Sequence, residues 1–377
     1  MKPHKVMFIV TEDWYFFSHR LRLALAAQKA GHEVIMAARM TDHMKVIENS
    51  GIRAIPLRRM KRSSLNIFNE TAAFAELLML FRREKPDLLH LVALKPVIYG
   101  SIASQILGRS CRVNALGGLG FIFSSKRLVT SFLRPILIAV FRLIFNTPNS
   151  RLILQNVDDK TLITEQAGVD QRKVRLIQSA GVDVKEYTDT GLPQGIPIVM
   201  LASRMLWDKG VGEFVEAARL LKKQGVIARF TLVGDPDDEN PSSVPREQLQ
   251  KWNDSGIIEW WGYQENMPQV LSQASIVCLP TFYGEGVPKI LIEAMACARP
   301  IITTDMPGCR ELVREERNGV LIKPNDAIDL ANALSRLLND PLLRQKMGYE
   351  GRLIAVEDYS LPKVIKETLN VYRELLS

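Results

Sequence analysis

Along this chain, short apolar runs alternate with stretches whose apolar residues recur at helical spacing. VMFIV (6–10) reads as a buried strand. Residues 18–30 read as a helix, with Ser18 placed to cap it and Gly31 to end it. GHEVIMAAR (31–39), PDLLHLVAL (86–94), CRVNAL (111–116) and RLILQN (151–156) continue the series, each followed by a turn or a helical stretch. Apolar strands alternating with helices predict βαβ units and a parallel sheet covered on both faces. The segment YTDTGLPQGIP (187–197) is rich in turn formers and poor in apolar residues, which suits a linker. The alternation then restarts with IVMLAS (198–203) and a helix over about 211–224. RFTLVG (229–234), IIEWWG (257–262), IVCLP (276–280), RPIITT (299–304) and GVLIKP (319–324) follow. The expected class is α/β, with two doubly wound Rossmann-like domains facing a cleft at the carboxyl ends of their strands. The expected boundaries are 1–188 for the first domain and 196–358 for the second. Residues 359–377 are expected to form a terminal helix packing back toward the first domain.

Composition narrows the classes without choosing a function. Of 377 residues, 47 % are hydrophobic and 24 % charged, which excludes a disordered, collagen-like or disulfide-stapled chain. Cys111, Cys278, Cys297 and Cys309 form no CxxC pair, so zinc spacing is absent and a reducing compartment is expected. The five apolar residues near the start are too few for a secretory signal, so a cytoplasmic location is expected. Residues 1–190 carry a net charge of +12 and residues 191–377 one of −4. The basic half predicts contact with something anionic: nucleic acid, a membrane surface or a phosphorylated substrate. The most apolar run, LVTSFLRPILIAVFRLIF (128–145), follows Lys126 and Arg127 and is interrupted by Arg134, Pro135 and Arg142. It fits a helix lying in a membrane interface, or a core helix of the first domain, rather than a spanning one.

The densest chemistry lies in FYGEGVPKILIEAMACARPIITTD (282–305). A strand ends at IVCLP, Gly284 and Gly286 make a tight turn, and Pro288 suits the first turn of a helix over about 287–298. The free N–H groups and positive dipole end of such a helix make an anion site. Glu285 in the turn and Glu293 on the helix could accept hydrogen bonds from sugar hydroxyls on either side of a diphosphate. SRMLWDKG (203–210), after the first strand of the second domain, adds Arg204 and Lys209, a fork and a point charge that both neutralise phosphate.

The Glu-x7-Glu spacing, AMACARPIITTD, the turn PGCRELV (307–313) and NGVLI (318–322) resemble retaining glycosyltransferases of the GT-B fold, family four in particular. The resemblance is strongest over 196–325 and weaker through HLVALKPVIYG (90–100), GGLGFIF (117–123), LILQNVDD (152–159) and SAGVD (179–183). It implies that Arg204 and Lys209 hold the donor diphosphate, that Glu285 binds the transferred sugar and that Glu293 binds the nucleotide ribose. Around them Gly286, Val287 and Lys289 line the donor site, and Gly262 and Tyr263 meet the base. Many relatives have Gly where this chain has Ala298, and many place a donor-contacting His where this chain has Asn114 to Gly118. That histidine is not carried over.

For the acceptor, His19 and Arg20 at the start of the first helix, with Asn114, are the candidates; His90 reads as a core histidine. Asp235-Pro236-Asp237 formally matches the metal-binding triplet of another glycosyltransferase fold, but GDPDDENP reads as an acidic turn. The helix N-terminus with Arg204 and Lys209 supplies positive charge, so no metal and no cofactor is expected. GGLG (117–120) lacks a full dinucleotide fingerprint. The expected activity is transfer of a sugar, with retention, from a UDP-N-acetylhexosamine or UDP-hexose to a lipid-linked saccharide. The resemblance to bacterial enzymes acting on polyprenyl-diphosphate-linked glycans implies the cytoplasmic membrane surface as partner, and not nucleic acid. The alternatives are a UDP-sugar 2-epimerase on the same fold, or a non-catalytic protein binding lipid or nucleic acid.

Overall fold

The computed structural model describes residues 3–62, 66–108, 110–119 and 128–377, the side chains of 128–133 excepted. The chain divides into two compact units, residues 1–180 with 364–377, and residues 181–363.

The first unit is built on β1 (Lys5–Glu12), β2 (Glu33–Arg39), β3 (Arg53–Pro56), β4 (Leu88–Val92), β5 (Cys111–Ala115), β6 (Ser150–Leu154) and β7 (Val174–Leu176). They form one parallel sheet in the order β3-β2-β1-β4-β5-β6-β7. Val6 to Val10 are fully buried, as an apolar strand covered on both faces requires. The helices are α1 (Asp13–His19), α2 (Leu21–Lys29), α3 (Met44–Asn49), α4 (Ile67–Glu84), α5 (Leu94–Ile106), α6 (Leu128–Phe145) and α7 (Val157–Thr161).

The single helix expected over 18–30 is two. Asp13 is buried and accepts hydrogen bonds from the Trp14 and Thr41 amides and the Thr41 hydroxyl, at 2.8, 2.7 and 2.6 Å. A carboxylate so placed starts the first helix five residues early. Ser18 therefore lies inside α1 and donates to the Trp14 carbonyl at 2.9 Å instead of capping. The chain breaks at Arg20 before α2 begins.

In α6, Phe141, Ile144 and Phe145 are buried in the core of this unit, whereas Ile136 and Leu143 are exposed. Its described half is thus a core helix with a partly apolar outer face. Gly120, Lys126 and Arg127 lie outside the described residues. Among the described residues no helix is long and apolar enough to cross a membrane.

The second unit repeats the plan with β8 (Ile198–Ala202), β9 (Arg229–Val233), β10 (Glu259–Trp260), β11 (Ile276–Leu279), β12 (Ile301–Thr304) and β13 (Gly319–Ile322). All are parallel, in the order β10-β9-β8-β11-β12-β13. This is the Rossmann order, in which the winding direction reverses between the first and fourth strands. Its helices are α8 (Val211–Lys223), α9 (Arg246–Asp254), α10 (Met267–Ser272), α11 (Lys289–Ala296), α12 (Ala327–Asn339) and α13 (Pro341–Asp358). The segment 187–197, read as a linker, begins inside this unit: Tyr187 is buried there, and Thr190 and Gly191 accept hydrogen bonds from the buried Arg299. A last helix, α14 (Leu361–Leu376), buries Val364, Thr368, Val371 and Tyr372 on one stripe. Three of these join the Phe8 side of the first unit's core.

Candidate active site

Within the second unit, the switch point lies between β8 and β11, and two loops leave the sheet there. The loop after β8 carries Arg204 and ends in a 3-10 turn, Trp207–Lys209. The loop after β11 carries Thr281, Tyr283, Glu285 and Gly286. Backbone contacts join them: the Asp208 carbonyl accepts from the Thr281 hydroxyl at 2.8 Å and from the Phe282 amide at 3.2 Å. Gly210 has φ +77°, and a Cβ there would sit 2.1 Å from the Pro280 carbonyl oxygen. Only glycine allows this approach, which brings Lys209 to Glu285. The two form an ion pair, each side chain 16 % exposed. Burial with the Glu285 charge pushes the neighbouring Tyr283 hydroxyl up to about 12.

Behind Glu285, the 307–309 turn supports the loop. The Glu285 amide donates to the Pro307 carbonyl at 3.3 Å. Gly308 has φ +82°, and a Cβ there would lie 1.4 Å from the Gly286 oxygen.

The helix that follows is shorter than the expected 287–298. Pro288 is its cap, with ψ 116° in the extended region, and α11 covers Lys289–Ala296. The C-terminal end comes early because Ala298 is left-handed, at φ +56°, and its carbonyl oxygen would sit 2.1 Å from a Cβ on Gly348 of α13. A left-handed backbone at this position is the reason glycine suits it. Val287 is buried just before the cap.

Glu293, 5 % exposed, points one carboxylate oxygen at two partners. Lys289 reaches it at 2.7 Å and the Tyr187 hydroxyl donates to it at 2.6 Å. Burial, then the Glu293 charge, pushes the Tyr187 hydroxyl well above its ordinary value. Sequence reasoning missed Tyr187: it stands in a turn-rich stretch, 106 positions from its partner, with no local periodicity to flag it. The Tyr187→Phe variant is expected to lose about 1.5–3 kcal/mol of stability, the value of a hydrogen bond to a charged group. Thermal melting checks this; an unchanged melting temperature would mean the bond contributes nothing net.

Arg204 pairs with Asp237, and Asp235 lies 3.6 Å from Arg246. The acidic triplet thus faces arginines. The turn after β10 is tied to β9, since the Gly262 carbonyl accepts from the Gly234 amide at 2.7 Å. Gly262 takes φ +64° and Tyr263 is 65 % exposed beside it. Arg204, Lys209, Gly262, Tyr263, Glu285, Gly286, Val287, Lys289 and Glu293 therefore all follow the carboxyl ends of strands in this one unit.

The acceptor candidates of the first unit separate. His19 is the last residue of α1, not the start of a helix. Its ring stacks on Tyr15 at 4.3 Å and its Nδ1 is 2.6 Å from the Ser18 hydroxyl. Asn114 is fully buried within β5. Its amide donates to Ser150 at 3.0 Å and its oxygen accepts from Ser101 at 2.8 Å, so both ends serve the core rather than a ligand. Arg20 is buried at the α1–α2 break. His90 is more than a satisfied core histidine: Nδ1 is 2.7 Å from the Tyr372 hydroxyl and the ring stacks on Phe8, but Nε2 has no partner. Burial, with Arg20 nearby, holds it well below the usual histidine value, hence neutral.

A Rossmann-ordered unit with a Lys–Glu pair at its switch point and a helix N-terminus beside it suits an anionic ligand such as a nucleotide. Residues 196–340 match the family described as "Glycosyl transferases group 1", and residues 5–156 match "Glycosyl transferase 4-like". The chain thus carries two glycosyltransferase domains, one in each unit.

The chain is 26 % identical over 345 residues to the N,N'-diacetylbacillosaminyl-diphospho-undecaprenol alpha-1,3-N-acetylgalactosaminyltransferase of Campylobacter jejuni, covering 88 % of this chain and 89 % of that one. It is 23 % identical over 350 residues to the UDP-Gal:alpha-D-GlcNAc-diphosphoundecaprenol alpha-1,3-galactosyltransferase of Escherichia coli, covering 89 % and 87 %. Among solved structures, Anabaena HepE in complex with UDP superposes with a TM-score of 0.79 at 18 % identity, over 98 % of this chain and all of that one. A glycosyltransferase of Rickettsia africae gives 0.79 at 17 % over the whole of both. The fold is GT-B, as the sequence motifs imply.

Proposed function

We propose that this glycosyltransferase moves a hexosyl or N-acetylhexosaminyl group from a UDP-sugar to a polyprenyl-diphosphate-linked saccharide, with retention, at the cytoplasmic face of a membrane. The observation that carries the reading is the Lys209–Glu285 pair at the switch point of the second unit. A diphosphate there would draw on Lys209, Arg204 and the positive end of α11. Glu285, released from Lys209 by that anion, would accept hydroxyls of the transferred sugar. Glu293, held by Tyr187, would accept the ribose hydroxyls. As the glycosidic bond breaks, electrons pass to the leaving phosphate oxygen and positive charge develops at the anomeric carbon. Groups already oriented toward the leaving phosphate stabilise it without reorganising, which is electrostatic preorganisation. The acceptor hydroxyl would add from the same face and pass its proton to the departing phosphate. The relatives' lipid-diphosphate substrates and the basic first half of the chain support the acceptor class.

Thermal melting with UDP, GDP and ADP, with and without EDTA, tests the donor site. UDP at about 100 times its dissociation constant is expected to add about 2.7 kcal/mol. EDTA is expected to change nothing, since the cations of the site are side chains. Stabilisation by none of the nucleotides would overturn the donor-site reading.

A further inference from the structure

A second polar site lies wholly in the first unit. At the carboxyl edge of its sheet a small cavity is lined by Arg20, His90, Gln155, Ser179 and Thr368 among apolar neighbours. Arg20 comes from the α1–α2 break, His90 from β4, Gln155 from the end of β6, Ser179 from the segment after β7 and Thr368 from α14. Arg20 is 7 % exposed, its Nε has no hydrogen-bond partner, and no carboxylate pairs with it among the described residues. His90, 1 % exposed, spends Nδ1 on Tyr372 and leaves Nε2 without a partner.

A guanidinium buried without a counter-charge is costly, and a structural arginine normally finds an acid or a set of carbonyls. Arg299 of the second unit does so: it is fully buried and donates to the Leu271, Ser272 and Gly191 carbonyls. Arg20 does not. An anion supplied from outside would meet its need. The cavity has room for one water-sized group. That space takes a single oxygen of a tetrahedral anion, so the other oxygens would have to lie outside it. The planar fork of arginine suits phosphoryl oxygens, and an uncharged imidazole with a free Nε2 can donate or accept beside it, according to its tautomer.

We propose that the Arg20–His90 cavity is a phosphoryl-binding site, and that the phosphoryl group it serves is the diphosphate of the lipid-linked acceptor. The second clause rests on the function proposed above; the first does not. The proposed donor residues all belong to the other unit.

Isothermal titration of the whole protein with farnesyl diphosphate, inorganic pyrophosphate, farnesol and UDP tests both clauses. Wild type, Arg20→Met and Arg20→Lys are compared in phosphate-free buffer. Farnesyl diphosphate is expected to bind wild type at least tenfold more tightly than Arg20→Met, with Arg20→Lys between them, while UDP binds all three equally. Arg20→Met is expected to melt no lower than wild type without ligand, because it removes an unpaired buried charge; a merely structural arginine would give a clear drop. With acceptor and donor supplied, Arg20→Met should raise the acceptor KM at least tenfold and leave the donor KM unchanged. Equal binding of farnesyl diphosphate by wild type and Arg20→Met would overturn the site. Loss of UDP binding in Arg20→Met would assign the cavity to the donor and overturn the acceptor clause. If UDP binds no variant but farnesyl diphosphate binding still depends on Arg20, the cavity stands and the transferase reading fails.

Discussion

The Lys209→Ala variant is expected to fold and to lose sugar transfer by about 10²–10³-fold, the range for removing one preorganised group that stabilises charge in a transition state. Lys209 is held at the switch point by its own short turn, and the glycine after it packs on Pro280. Its ammonium rests on Glu285, and the proposed donor diphosphate would draw on it. Steady-state kinetics check the expectation through the split between constants. An interaction made mainly in the transition state lowers kcat and kcat/KM together; one made equally to bound donor raises KM alone. The variant also leaves Glu285 without its cation in a half-buried position, so some stability is expected to go with it. Lys209→Met keeps the aliphatic stem and so isolates the loss of charge from the loss of packing, while thermal melting of both variants reads the stability effect apart from the kinetics. Activity within threefold of wild type in both variants would remove Lys209 from the chemistry.

The second large effect is expected at a residue with no side chain. Gly308→Ala adds a methyl group whose ideal position is 1.4 Å from the Gly286 oxygen, and it does so at a left-handed φ of +82°. The left-handed backbone costs an L-residue roughly 1–2 kcal/mol, and a forced fit in a packed region typically costs a further 1–3. The obstructing atoms are backbone, so no rotamer change relieves the clash. Either the 307–309 turn or the Glu285–Gly286 loop must move, and the loop carries the proposed donor residues. A melting temperature several degrees lower is expected, together with weakened UDP binding in the fraction that folds. Wild-type melting and wild-type UDP affinity would show that the turn does not support the loop.

These two positions were not equally legible in the sequence. Lys209 and Glu285 were readable because strand, glycine turn and helix follow one another in a fixed order, so a local pattern places both at a strand's carboxyl end. Gly308 was visible as part of a turn, but its target was not, because a contact between 286 and 308 depends on how two loops stack. Tyr187 shows the same limit more strongly. Its hydroxyl meets Glu293 only because the segment after Gly181 folds into the second unit.

The second sheet was legible strand by strand, and the first except at its two edges: β3 and β7 are short and only partly buried, so no apolar run marks them. The start of α1 was not legible, because Asp13 is fixed by Thr41, 28 residues away. Asn114 failed as an acceptor candidate for a related reason: a polar residue at a strand end looks exposed in sequence, whereas Ser101 and Ser150 enclose it in the fold. The partnerless Nε2 of His90 and Nε of Arg20 have no sequence signature at all.

The central claim is retaining transfer from a UDP-sugar to a lipid-diphosphate-linked saccharide. The most direct test incubates the protein with UDP-N-acetylgalactosamine, UDP-N-acetylglucosamine, UDP-galactose or UDP-glucose and a farnesyl-diphosphate-linked monosaccharide acceptor. The anomeric proton coupling of the product is then measured by NMR. One of these donors is expected to give a disaccharide with the small coupling of an α linkage, matching the α configuration of the donor, and Lys209→Ala is expected to give little or none. A β-linked product would contradict retention. Conversion of the UDP-sugar to its 2-epimer without any disaccharide would contradict transfer itself.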